Sequence, residues 1–267
     1  MVGHGAPRLP GAQAAVEAQA ALLRRGGAFE EVACAFLSMP PAPADALAAL
    51  RGDPVCVVPL FMSDGYFVRA VERALAAGEG RGSRRLRQDR PIGLVPGLTE
   101  VIKRRALAAC AEGGLEPGRC GLLVVAHGYT GSPASREAAR FHTEPLAAAG
   151  RFRWVDAAFL EEEPMIPDRL AVHAGDVVAV GLFAAPGGHA AEDVPEALAA
   201  DPRGGERRIL YTGAIGADPA MAGVIATAVA AASNGGAGAT HGEAGASGPP
   251  IPARRAAPPT GVEHRAG

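Results

Sequence analysis

The chain repeats itself at an offset of 123 residues, and no other feature constrains its fold as strongly. Val2-Gly3-His4-Gly5 corresponds to Val125-Ala126-His127-Gly128. The same offset recurs along the chain, pairing Ala35-Phe36-Leu37 with Ala158-Phe159-Leu160, Pro41 with Pro164, Gly65 with Gly188 and Gly93 with Gly216. A match kept through so many blocks predicts a duplicated structural unit. We therefore predict an N-terminal half at residues 1–116 and a C-terminal half at residues 117–232.

Each half alternates short apolar runs with longer alanine-rich stretches. In the second half the runs, which are rich in β-branched residues and predict buried strands, lie at 121–126, 153–160, 176–183 and 207–212. Its predicted helices lie at 134–149, 165–174, 190–200 and 219–232. The first half predicts strands near 30–37, 54–61 and 91–95, and helices near 11–25, 42–51, 67–77 and 98–112. This alternation predicts an α/β fold with two tandem four-stranded parallel-sheet lobes.

The two ends of the chain depart from this pattern. Because the sequence begins at Met1-Val2, the opening strand of the first half is a stub, or else the true start lies upstream. After Ala232 the composition shifts to Gly, Ala, Pro and Ser, which predicts a disordered tail over 233–267. His241 and His264 stand alone in this tail, and we do not expect them to bind metal.

Composition limits the classes of partner. The net charge is −2 and no block carries one sign, so neither nucleic acid nor a membrane surface is expected as a partner. No apolar run approaches the ~18 residues that cross a bilayer, and no leader is visible, so we expect a cytoplasmic protein. The four cysteines form no C-x-x-C pair and are expected to be free thiols: Cys34, Cys56, Cys110 and Cys120.

Histidines and a glutamate follow three predicted strands of the second half. His127 comes after the first strand, Glu161 after the second and His189 after the third. In an open parallel sheet, ligands bind at the carboxyl ends of the strands, so these side chains should share one edge. Two imidazoles and a carboxylate suit a divalent first-row metal. The plainer alternative is that each histidine only ends a strand.

Neighbouring glycines and the first half favour the metal site. Gly128 and Gly188 flank the two imidazoles and would leave room for a bulky flat ligand. The first half carries Tyr66 and Ser38 at the positions of His189 and Glu161, as expected if one copy kept its ligands and the other became a wall. His142 and His173 lie on or near predicted helices and are expected at the surface.

Four motifs in order make the chain resemble the CbiX/SirB-type sirohydrochlorin chelatases, relatives of CbiK and ferrochelatase. An apolar strand runs into His-Gly at 122–128 and, shortened, at 2–5. The other three are Phe159-Leu160-Glu161 with Pro164, the run Gly187-Gly188-His189-Ala190-Ala191-Glu192-Asp193-Val194-Pro195, and Leu-Tyr-x-Gly-x-Ile-Gly at 210–216. Gly65-Tyr66 departs from the family's Gly-His, so the resemblance implies one metal site, in the second half.

The resemblance implies that the chain inserts Co²⁺ into sirohydrochlorin, with Fe²⁺ insertion as the alternative and no organic cofactor. His127 and His189 would bind the metal and Glu161 would balance charge and relay protons. His4, Gly128 and Gly188 would line the tetrapyrrole site, although His4 could equally be a metal partner, a proton acceptor or a remnant. Cations for the substrate's eight acidic groups would come from Arg8, Arg69 and Arg136.

Two other functions compete with this interpretation. The run from His127 to Ser132 resembles an esterase oxyanion loop, but an α/β-hydrolase needs a G-x-S-x-G elbow about 60–80 residues later, and the sequence has none there. A carrier that binds metal or tetrapyrrole without catalysing insertion fits the degenerate first half. The sequence gives no indication of the oligomeric state.

Overall fold

A computed structural model describes residues 1–6, 10–77 and 85–234. The strands among them are β1 (Val2–Gly3), β2 (Ala35–Phe36), β3 (Val55–Val57), β4 (Leu86–Gln88), β5 (Gly121–Ala126), β6 (Trp154–Phe159), β7 (Val177–Gly181) and β8 (Ile209–Ala214). The α-helices are α1 (Pro10–Gly26), α2 (Pro43–Ala49), α3 (Tyr66–Ala77), α4 (Pro96–Glu112), α5 (Ala134–Ala148), α6 (Ile166–Val172), α7 (Val194–Ala199) and α8 (Met221–Asn234). None of the described helices is long and apolar enough to cross a membrane.

The second half contains a four-stranded parallel sheet in the order β6-β5-β7-β8. Every residue of β5 is buried, as is every residue of β7, which explains why both strands are apolar throughout rather than alternating. All strands run in one direction, so their carboxyl ends meet at a single edge. The predicted α/β fold is confirmed.

The first half has the same strand order with shorter strands. β1 pairs with β2 and β3 pairs with β4, both in parallel. The two pairs are joined because the Val2 amide donates to the Val58 carbonyl at 2.9 Å and the Leu60 amide donates to the Val2 carbonyl at 2.8 Å. The order is therefore β2-β1-β3-β4, matching the second half strand for strand.

The sequence repeat is also a repeat of hydrogen bonds. The Ser38 amide donates to the His4 carbonyl at 2.9 Å, and the Glu161 amide donates to the His127 carbonyl at the same distance. These two bonds hold the turns that follow the first strand of each half. The duplicated positions thus have the same backbone environment even where the side chains differ.

Gly93 and Gly216 keep the repeat offset because backbone from the preceding loop lies against them. A β-carbon on Gly93 would lie 2.1 Å from the Met62 carbonyl oxygen, and one on Gly216 would lie 2.1 Å from the Ala184 carbonyl oxygen. No larger residue fits at either place without moving the chain.

Several predicted element bounds are wrong. The strands predicted near 30–37 and 54–61 cover only Ala35–Phe36 and Val55–Val57.

Two further elements begin at other residues than predicted. The strand predicted at 91–95 is instead β4 at Leu86–Gln88, and Ile92–Leu94 forms a short 3-10 turn. Pro91, which lacks an amide hydrogen, directly precedes this turn and could not donate to a sheet neighbour. The helix predicted from residue 190 begins at Val194, because His189–Asp193 forms a π-helical turn first.

The last helix of each half packs on the other half. α4 contacts β7 and β8 of the second sheet, whereas α8 contacts α1 of the first half. The Arg87 guanidinium, on β4, also donates to the Val229 carbonyl of α8 at 3.1 Å. One hydrophobic core consequently draws its residues from both halves, including Phe36, Leu98, Leu122 and Ile225.

Two buried side chains at equivalent positions link the halves. Gln19 of α1 donates to the Gly216 carbonyl at 3.1 Å, and His142 of α5 bonds the Gly93 carbonyl at 2.7 Å. His142 is fully buried, so its predicted surface position is wrong: α5 turns this face toward the other half and not toward solvent. Burial lowers the pKa of His142, and the neutral ring accepts from the Thr99 hydroxyl at 2.8 Å.

Candidate active site

The rings of His127 and His189 lie together at the carboxyl edge of the second sheet. Their centroids are 4.5 Å apart, with the planes nearly perpendicular. His127 follows directly on β5, whereas His189 opens the π-helical turn that precedes α7. The two residues are distant in sequence, and they meet because β5 and β7 are neighbours in a parallel sheet.

Each imidazole has its Nδ1 atom engaged, which leaves Nε2 as the available nitrogen. His127 Nδ1 lies 2.7 Å from the Gly128 carbonyl oxygen, which can only accept, so Nδ1 carries the hydrogen. His189 Nδ1 lies 2.6 Å from the Asp193 carboxylate, which likewise accepts. A metal-binding histidine commonly has its other nitrogen tied to a carbonyl or carboxylate in this way.

Glu161 lies beside His127 but does not complete a ready three-ligand site. Its Oε1 atom is 3.9 Å from His127 Nε2, and the carboxylate is more than half exposed. Among the described residues, no group of three or more His, Cys, Asp or Glu side chains is placed to hold a metal ion. The site thus consists of two paired imidazoles with the Glu161 carboxylate close to one of them. A metal ion held by the two imidazoles would keep open coordination positions.

Asp193 was not among the site residues predicted from the sequence. The π-helical turn at His189–Asp193 brings its carboxylate onto the His189 ring, four residues away. The His-x-x-x-Asp spacing was visible in the sequence, and a one-turn separation was the available signal for this contact.

Glycine is required at position 128 by its backbone conformation and close packing. The sequence instead predicts that this glycine leaves room for a bulky ligand. Its φ angle is +81°, and an added β-carbon would lie 2.8 Å from Phe159 Cβ and Glu162 Cγ. Gly188, in contrast, has no atom within 4 Å of an added β-carbon, so open space surrounds it. Of the two glycines, only Gly188 has the free space that a bulky ligand needs.

Beneath Gly128 lies a buried carboxylate, paired with a partly exposed arginine, that the sequence analysis missed. The Glu162 side chain is almost fully buried, and Arg136 donates to it at 2.7 Å. The adjacent acidic residues in Glu161-Glu162-Glu163 gave no indication of which one turns inward. Arg136, predicted to bind substrate carboxylates, therefore already has an acidic partner.

The first half has a matching edge with different side chains. His4 Nδ1 lies 2.5 Å from the Gly5 carbonyl oxygen, as His127 does from Gly128. The ring that meets His4 is Phe67, at 4.5 Å between centroids. Ser38, at the position of Glu161, is exposed.

The remaining residues considered in the sequence analysis either contact neighbouring side chains or lie outside the described residues. Arg69 pairs with Asp64 at 4.0 Å and with Glu72 at 3.7 Å. His173 is half-buried, stacked on Trp154 at 4.0 Å between centroids. Arg8, His241 and His264 lie outside the described residues, as does the tail from residue 235.

The four cysteines are unpaired in the structure. Burial raises the pKa of the Cys110 thiol to about 11 and also raises that of Cys120. Both thiols are thus protonated near neutral pH and are poor metal ligands.

Comparison with known proteins identifies this arrangement with one family. The CbiX family model matches residues 1–109 and 121–232. A Halobacterium salinarum protein named probable sirohydrochlorin cobaltochelatase is 32% identical over 262 residues, covering 84% of this chain and 88% of that protein.

Solved structures show the same fold. CbiX, described as the terminal enzyme of siroheme biosynthesis in denitrifying bacteria, is 32% identical with a TM-score of 0.71, covering 86% of this chain and 97% of that one. A multi-domain Deinococcus radiodurans protein with similarity to chelatases is 28% identical with a TM-score of 0.75; the match covers 86% of this chain and 53% of that longer one. SirB from Bacillus subtilis, solved with Fe³⁺, has a TM-score of 0.67 at 17% identity, covers 88% of this chain and 95% of that one, and shows the fold alone. The chain belongs to the CbiX family of sirohydrochlorin chelatases, which are metal-inserting enzymes.

Proposed function

We propose that this chain inserts Co²⁺ into sirohydrochlorin, with His127 and His189 holding the incoming ion. The observation that carries the proposal is the imidazole pair, 4.5 Å between centroids, with both Nδ1 atoms tied and both Nε2 atoms available. Cobalt is supported by the name of the Halobacterium salinarum relative. Fe²⁺ is the second candidate, supported by the siroheme role of the solved CbiX protein.

The site chemistry follows from these residues. Insertion requires the metal to shed water and two pyrrole N–H groups to lose their protons. Imidazole nitrogens replace water on the ion, and Glu161, exposed and 3.9 Å from His127 Nε2, accepts the two released protons in turn and passes each to solvent. Because no third ligand from the described part of the chain closes the site, the ion keeps open positions through which the pyrrole nitrogens take it.

The test is anaerobic insertion followed by the visible spectrum of sirohydrochlorin, with Co²⁺ or Fe²⁺ supplied separately. We expect many turnovers with Co²⁺, and a loss of at least about 100-fold in His127→Ala and in His189→Ala. Unchanged melting curves would show that both variants stay folded. Normal rates in either variant would overturn the assignment, and binding without turnover by the wild type would favour a carrier.

The same proposal includes a division between the halves at residue 116, a cytoplasmic location, and tetrapyrrole contacts at His4 and Gly188; Gly128 is buried and is left out. His4 lies at the equivalent edge of the first half, and the space around Gly188 is open. In this proposal His4 contacts the macrocycle from the edge of the first sheet and Gly188 from the edge of the second.

A further inference from the structure

Exposed large apolar side chains gather at the strand ends. Among the described residues they are Tyr66, Phe67, Tyr129 and Val172. Tyr66 and Phe67 open the helix after β3, and Tyr129 follows β5, so three of the four lie at a carboxyl edge. Exposed aromatic surface that is concentrated in one region marks a binding surface more often than chance exposure does.

Phe67 takes the place that His189 has in the second half. The His4–Phe67 centroid distance equals the His127–His189 distance, 4.5 Å, and both pairs are edge-to-face. Tyr66 stands at the sequence position of His189, and Ala70 at that of Asp193. The first half has thus exchanged an imidazole and its carboxylate for two aromatic rings, which cannot hold a metal ion but can contact a flat ligand.

The Tyr66 and Phe67 rings are held in place by packing on a buried ring. Phe67 stacks on Phe61 with 5.7 Å between centroids and 15° between planes, and Phe61 is buried. Tyr66 meets Phe67 edge-to-face at 5.5 Å and remains 60% exposed. A ring that is held in place but left in water loses little entropy when a ligand covers it.

Arg73 supplies a cation at this surface. Its guanidinium carbon lies 5.4 Å from the centre of the Tyr66 ring. Within the described residues no carboxylate forms an ion pair with Arg73, in contrast to Arg69 on the same helix, which has two acidic partners. An aromatic ring beside an unneutralised guanidinium fits a conjugated ring that carries carboxylates.

The loop that precedes Tyr66 and the loop that precedes His189 begin close to each other. Met62 of the first loop and Ala184 of the second line the same small cavity between the halves, together with Leu60 and Gly216. Both loops therefore start at the junction of the two halves. This shared starting point is the observation that links the first half's aromatic surface to the metal site.

We propose that Tyr66, Phe67 and Arg73 bind the tetrapyrrole and not the metal. The two rings stack against the macrocycle, and the Arg73 guanidinium pairs with one of its peripheral carboxylates. The inference rests on the proposed function, since it names how the same enzyme holds its organic substrate. The first half is accordingly a substrate-binding lobe, made so by the loss of its own metal ligands.

The test is the binding of metal-free sirohydrochlorin to the full-length protein, followed by the fluorescence of the tetrapyrrole. We expect Tyr66→Ala to raise the Kd about 10-fold, as loss of one stacked ring does for other planar ligands, and Tyr66→Phe to stay within about twofold. Arg73→Gln should raise the Kd by a similar factor at low salt and by less at high salt. Val172→Ala and Arg151→Gln, an exposed apolar residue and an exposed arginine away from this edge, are the matched controls.

A second titration uses Co²⁺ alone. Its Kd should be unchanged in Tyr66→Ala and in Arg73→Gln, because neither side chain is placed on the metal. In turnover, Tyr66→Ala should raise KM while kcat stays within about twofold.

The outcomes separate the two proposals. If the wild type inserts metal but Tyr66→Ala and Arg73→Gln bind sirohydrochlorin like the controls, the aromatic surface is not a substrate site and the chelatase assignment stands. If either variant weakens Co²⁺ binding as much as tetrapyrrole binding, the inference is wrong. A wild type that neither binds nor metallates sirohydrochlorin removes the proposed function itself.

Discussion

Hydrogen bonds at Nδ1 orient the two imidazoles of the candidate active site. His189 has its Nδ1 atom fixed by Asp193 at 2.6 Å, and His127 has its own fixed by a backbone carbonyl at 2.7 Å. The backbone partner cannot be removed by substitution, whereas the carboxylate can. Asp193 is therefore the positioning residue that mutation can test.

We predict that Asp193→Ala lowers kcat/KM for metal insertion about 10–100-fold, because the His189 ring loses the bond that orients it. Co²⁺ affinity, measured by titration without tetrapyrrole, should fall with it. Glu192→Ala, an exposed acidic neighbour on the same turn, is the control and should behave like the wild type. Equal rates in the two variants would show that Asp193 does not orient the imidazole.

At the scale of elements, each half's first helix reaches into the other half through one buried polar side chain. Gln19 of α1 and His142 of α5 occupy equivalent positions and bond equivalent carbonyls, at Gly216 and Gly93. Glutamine cannot titrate near neutral pH, but histidine can. Only one of the two links is consequently sensitive to pH.

We predict that stability falls as pH drops below about 6.5, the ordinary pKa of histidine. Burial lowers the pKa of His142 in the folded state, so below that pH the unfolded chain takes up a proton that the folded chain refuses, and unfolding is favoured. Above it the contribution is constant.

The variant His142→Gln, which copies Gln19, should lose this part of the pH dependence while keeping a donor for the Gly93 carbonyl. Chemical denaturation at a series of pH values measures it, with the half-buried His173→Gln as control. If the wild type and His142→Gln show parallel stability curves from pH 7.5 to 5, His142 is not the titrating group.

At the scale of the whole molecule, the last helix of each half packs on the other half and so joins the two. α4 belongs to the first half in sequence but covers β7 and β8 of the second sheet. Four of its buried residues, Leu98, Val101, Ile102 and Ala106, lie in the shared core. A sequence boundary at residue 116 therefore separates a helix from the sheet that it covers.

We predict that a fragment of residues 117–234 does not fold cooperatively as a monomer, because removal of α4 exposes the apolar face of β7 and β8. Circular dichroism during urea denaturation tests this, and adding residues 1–116 in trans should restore a cooperative transition. A sharp transition in the isolated fragment would show that the second half is an independent domain.

Much of the fold follows from the chain by itself. Continuous apolar runs such as 121–126 are too short for helices and predict strands covered on both faces, and their alternation with alanine-rich stretches predicts a parallel α/β fold. The location of His127 and His189 at one sheet edge also follows, because the carboxyl ends of parallel strands share an edge. These predictions depend on local periodicity and on the alternation of strands with helices, both of which can be read from the sequence.

What the sequence left undecided is contact between parts that are distant in the chain. Nothing local distinguishes buried His142 from a surface histidine, or Glu162 from Glu161, since burial depends on which face of an element meets a neighbour. The repeat located two halves, but only the packed structure shows that their last helices are exchanged. The reason is physical: periodicity fixes which residues share a face, whereas the partner that covers the face is chosen by packing over the whole molecule.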